Sequence, residues 1–154
     1  MEEGDNYSDE LAHVARQSVN EVIDLYHSTK SDIMKGITIL RKKAKLGEQG
    51  FPRATLAFYG PDDKKATKAV LGIFLREGDE GTIHRYFSED QDARFKIDIQ
   101  QSILARLKEH NVRSLIMVEK IFGCPHEEGI DYPEGKPCPR CPFWNGRDRY
   151  AALE

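Results

Sequence analysis

Ala66-Thr-Lys-Ala-Val-Leu-Gly-Ile-Phe-Leu-Arg76 and Thr82-Ile-His-Arg-Tyr-Phe-Ser88 stand on either side of Gly78-Asp-Glu-Gly81. β-Branched and aromatic residues fill both runs, and a glycine-bounded acidic turn separates them. The spacing therefore predicts two antiparallel strands of one hairpin. Gly72, inside the longer run, is expected at a bulge or a close backbone approach. Upstream, Thr55-Leu-Ala-Phe-Tyr59 is a short apolar run closed by Gly60-Pro-Asp-Asp63, which reads as a further strand.

Downstream the period changes. Phe95, Ile99, Ile103 and Leu107 recur every four residues, with Ile97 and Leu104 widening the stripe, so a helix is predicted over about Gln91–His110 with Asn111 as its stop. Val112–Phe122 follows, and its Ser114-Leu-Ile-Met-Val118 run suits a strand covered on both faces. Toward the N-terminus, Ile33, Ile37, Leu40 and Ala44 predict a helix over about Ser31–Leu46, stopped by Gly47. Its last turn carries Arg41, Lys42, Lys43 and Lys45, opposite in sign to the negative helix end. An earlier helix is predicted from Leu11, Val14, Ala15, Ser18, Val22, Leu25 and Tyr26, with Ser8 or Asp9 as cap.

The expected fold is α+β. A small mixed sheet in β-β-β-α-β order is packed by helices, with two N-terminal helices and a C-terminal zinc-knuckle module. Within a single domain, residues 1–8 are expected to be disordered, 9–122 to form the core and 123–150 to form the module packed on it.

The totals narrow the classes. A chain of 154 residues can bury a core unaided. A hydrophobic fraction of 39% and a charged fraction of 32% imply well-solvated surfaces. The net charge of −3 argues against a generally basic nucleic-acid binder while leaving room for a local basic patch. Met1-Glu-Glu-Gly-Asp5 is acidic where a secretory signal is basic, and no apolar run has bilayer length, so a soluble, cytoplasmic protein without membrane association is expected.

All three cysteines lie between positions 124 and 141. Gly123-Cys124-Pro125-His126 is followed, after a turn-rich stretch containing Gly129, Pro133, Gly135 and Pro137, by Cys138-Pro139-Arg140-Cys141. Thiolate and imidazole in two short pairs joined by a turning loop are the donor set and spacing of a tetrahedral zinc site. Cys124, His126, Cys138 and Cys141 are accordingly the expected ligands of one structural Zn2+. Glu127, Glu128 and Asp131 are possible substitutes for the histidine. A closed shell of three cysteines and one histidine leaves no position for water. In small zinc peptides such a site contributes ~10–16 kcal/mol of apparent binding energy. Pro142, directly after the second cysteine of the pair, has no N–H for a sulfur.

His126-Glu-Glu128 and Pro137-Cys-Pro-Arg-Cys141 together resemble the H-x-E…P-C-x-x-C signature of cytidine and related nucleobase deaminases over about sixteen residues. That resemblance implies a zinc-dependent deaminase or hydrolase with Glu128 as general acid/base. Those enzymes place a helix and a strand between the two halves, where this chain has only Gly129 through Lys136. The β-β-β-α-β order also resembles the core order of ribonuclease-H-like folds, whose carboxylates hold two metal ions. Thr55–Tyr59 carries none, Asp62 and Asp63 sit in a turn, and Glu119 is a lone acid. The preferred reading is a non-enzymatic interaction or adaptor module. Its partner is a protein or an RNA contacted through Arg140, Arg147 and Arg149, with Phe143 and Trp144 packing over the metal site.

Overall fold

The structure, a computed structural model, describes residues 30–148. The expected disorder over residues 1–8 and the first predicted helix fall outside these residues. In chain order the elements are α1 (Lys30–Lys45), β1 (Arg53–Tyr59), β2 (Lys68–Phe74), β3 (Thr82–Phe87), α2 (Ile97–Glu109) and β4 (Ser114–Ile121), followed by a 3-10 turn at Pro142–Trp144. The strands form one mixed sheet in the order β3-β2-β1-β4. β2 is antiparallel to both neighbours, and β1 runs parallel to β4.

Period-two alternation sets the core. Ala54, Leu56 and Phe58 of β1 and Ala69, Leu71 and Ile73 of β2 share one face and are buried. Ile37 and Leu40 of α1 and Ile99, Ile103 and Leu107 of α2 complete the same cluster. Both helices thus cover one side of the sheet. Arg41 of α1 pairs with Glu119 of β4 through its Nε, at 3.0 and 3.1 Å, and its Nη2.

Two expectations are corrected. The helix predicted from Gln91 begins at Ile97, because the preceding turn has stronger local partners. Asp92 accepts from the backbone N–H of Arg94 at 3.0 Å and that of Ala66 at 3.3 Å and pairs with the Arg94 guanidinium, while Ala93 N donates to Ala66 O. Side-chain bonds of this kind compete with helix propagation. β4 is not covered on both faces: it is an edge strand, and Ile116 on its outward side is 56% exposed. Of the two alternatives expected at Gly72 the structure shows the close approach, since the β1–β2 register is continuous and a Cβ there would lie 2.8 Å from Thr55 Oγ1. The register irregularity lies instead between Ala57 and Phe58, along β4. His84 faces the helices and is half-buried, with its Nε2 shielded from solvent. Burial and then the charge of Arg106 push its pKa down.

Candidate metal centre

The end of β1 positions the site. Phe122 N donates to Phe58 O at 2.7 Å and Gly60 N to Gly123 O at 2.9 Å, so the chain leaving β4 is held beside β1 as it reaches Cys124. From there the backbone runs through turns, not helix or strand. Ile130 N and Asp131 N both donate to Glu127 O, Gly129 N donates to Tyr132 O, and Lys136 N donates to Pro133 O. Gly129 and Gly135 take φ of 82° and 76°, a region that L side chains rarely adopt. These turns fold the loop back and deliver Cys138 and Cys141 to Cys124 and His126.

The ligand atoms of the four residues all lie within 4.8 Å of one another. His126 Nδ1 stands 3.2 Å from Cys124 Sγ, 3.5 Å from Cys138 Sγ and 3.4 Å from Cys141 Sγ. A zinc tetrahedron with bonds of ~2.0–2.3 Å has sulfur-to-nitrogen edges of about 3.6 Å. The donors therefore sit near the vertices that one such ion requires. Cys124 and Cys141 are buried, and Cys138 is half-buried.

The three thiols shift one another's ionisation. Burial, followed by the neighbouring sulfurs, pushes the Cys141 thiol up to about 12, and burial raises Cys124 as well. Burial opposes ionisation of Cys138 too, but the backbone N–H groups of Arg140 and Cys141 help bring it below the ordinary thiol value. The His126 N–H similarly points at Cys124 Sγ, at 3.3 Å. Three sulfurs in one pocket repel as thiolates, and a dication removes that repulsion.

Two anchors hold the module on the sheet. Lys68, 4% exposed, donates to Pro125 O at 3.0 Å and to Glu127 Oε1 at 3.1 Å. Arg85 reaches the same carboxylate at 2.6 Å, and hydrogen bonds from Arg85 and then Lys68 hold Glu127 below the usual carboxylate range. The only signal in the sequence is a lysine inside an otherwise apolar strand. The second anchor is Trp144, whose Nε1 donates to Gly60 O at 2.8 Å and whose ring packs against the core. Phe143 meets it edge-on, with centroids 5.0 Å apart.

The remaining candidates have other partners or lie apart. Glu128 is exposed and accepts from Gly135 N at 2.7 Å. Asp131 accepts from Glu127 N at 2.7 Å. Arg140 is exposed in the turn between the paired cysteines, Arg147 lies 4.1 Å over the Phe143 ring, and Arg149 is outside the described residues. Among the described residues, the Cys/His cluster is the one group of three or more His, Cys, Asp or Glu side chains placed to share an ion. None of their helices is long and apolar enough to cross a membrane. Comparison with known proteins finds no matching family model, no matching curated protein and no matching solved structure.

Proposed function

We propose that the chain is a non-enzymatic interaction module in which one structural Zn2+, bound by Cys124, His126, Cys138 and Cys141, shapes the C-terminal segment. The observation that carries this reading is the convergence of four donor atoms within 4.8 Å. A sulfur-rich set with one imidazole favours Zn2+ over harder cations, and four protein donors complete its usual shell. Supporting the non-enzymatic part, Glu128 is engaged with the backbone of Gly135, and no helix or strand separates the two ligand pairs. Reduced cysteines fit a cytoplasmic location.

On this reading the module presents Arg140, Arg147 and Arg149 to a protein or RNA partner. Metal analysis of the purified chain tests the proposal. One zinc per chain is expected, with Cys138→Ser losing both the ion and the protection of backbone amides over residues 124–144. A metal-free chain with those amides fully protected under reducing conditions overturns it.

A further inference from the structure

The two sides of the sheet differ in kind. One is covered by α1 and α2, whereas no helix among the described residues covers the other. The outward strand positions carry four basic residues, Arg53, Lys68, Arg85 and Lys120, and no acidic one. Apolar groups lie exposed between them: Phe87 is 66% exposed, Ile116 56% and Ile83 42%. Gly72 and Gly81 leave room for the Phe74 ring, which a Cβ at either would meet at 3.1 and 2.5 Å. At one margin Arg53 stacks 4.1 Å over Phe51, and at the other a groove of about 690 Å³ runs between Phe87, Arg85 and the metal loop at Ile130.

Charge distribution along the chain reinforces this. Residues 30–148 hold 21 Lys and Arg against 18 Asp and Glu, a surplus of three positive charges; the first 29 residues hold one against seven. The overall value of −3 therefore conceals a basic body. Lys68 and Arg85 share the single carboxylate of Glu127 and Arg53 pairs with Glu48 at 2.9 Å, so the four cations of this face still exceed the carboxylates beside them.

We propose that this open face binds single-stranded nucleic acid. Bases would stack on Phe87 and lie across Ile83 and Ile116, with phosphates met by Arg85, Arg53 and Lys120. Aromatic and apolar groups interleaved with arginine match unpaired bases, which expose their ring faces along a charged backbone. A duplex hides those faces, and a flat sheet has no element to insert in its grooves. A second copy of the chain would oppose like charges on this surface. The inference rests on the interaction-module reading and gives that module a second surface, distinct from the tail arginines.

Fluorescence anisotropy of the zinc-loaded full chain with a labelled oligouridine tests it, with oligothymidine and a duplex of equal length as further arms. Binding to single strands in preference to the duplex is expected, weakening steeply between about 50 and about 200 mM salt. Oligouridine above oligothymidine would identify RNA as the source, and equal binding would identify unpaired strands of either sugar. Phe87→Ala should weaken binding about tenfold and Phe87→Tyr should retain it. Arg85→Ala should lower the salt slope by about one. Because Phe87 is mostly exposed, zinc content and circular dichroism should match wild type in its variants. No binding at low salt overturns the proposal, as does equal affinity for duplex or binding that falls with Arg147→Ala but not with Phe87→Ala. Zinc retained without oligonucleotide binding removes this inference alone, whereas absence of zinc removes the metal reading alone.

Discussion

The sheet and the cysteine loop solve the problem of holding a chain in place by opposite means. In the sheet, alternation buries Ala54, Leu56 and Phe58 against Leu71, Ile73 and two helices, and apolar area supplies the stability. The loop from Cys124 to Trp144 buries few large apolar side chains and consists of turns. It depends on converging donors, on one buried lysine and on one indole hydrogen bond. Order in the first region is distributed over many contacts, and in the second it is concentrated in a few atoms. A distributed region loses stability by degrees, whereas a concentrated one is lost by single substitutions.

The sharpest way to break this contrast is Cys141→Ser. The expected outcome is loss of metal worth on the order of 10 kcal/mol of apparent binding, with the sheet still folded. Hydrogen exchange should show opening confined to the loop, and simultaneous opening of β1 and β2 would mean that the regions are one unit. Next is Phe58→Ala, expected to cost about 3–5 kcal/mol in denaturant unfolding through the cavity it leaves. A cost below about 1 kcal/mol would contradict a shared core at that position.

Lys68→Met joins the two regions. It leaves Glu127 with Arg85 alone and removes the bond to Pro125 O, so a loss of about 2 kcal/mol is expected, with raised amide exchange across the loop. Trp144→Phe should cost about 1 kcal/mol by leaving Gly60 O without its donor. The smallest effect concerns the turn before α2. Burial opposes ionisation of Asp92, but Arg94 and the backbone N–H groups of Arg94 and Ala66 hold its folded pKa below the ordinary carboxylate value. Its contribution is therefore present above the unfolded pKa and is lost as pH falls through the lower folded one. Asp92→Asn should cost about 1 kcal/mol near neutrality and progressively less as pH drops below about 4, measured by denaturant midpoints across pH.

Legibility followed the range of the interactions. Ile99, Ile103 and Leu107 announce a helix because their period is local, and Ile97–Glu109 forms it. The helix starts later than its apolar period suggests because Asp92 and Arg94 form a turn bonded to Ala66, 26 residues earlier. Ser114–Val118 reads as doubly covered from its apolar run, yet placement at the sheet edge leaves Ile116 open. Spacing brought out all four candidate ligands, since chelation by neighbouring cysteines is a local property. Lys68 escaped because its partners lie far away along the chain, whereas the packing of Trp144 is expected from its place beside the cysteines and only its bond to Gly60 O is new.

The amino-acid order alone determined which residues alternate, which recur at helical spacing and which soft donors cluster near the C-terminus, because each is written within a few positions. Tertiary structure alone decided that both helices share one side of the sheet, that Glu127 meets Lys68 and Arg85, and that no helix among the described residues covers the other side. Those outcomes depend on which distant segments become neighbours, and local periodicity carries no information about that.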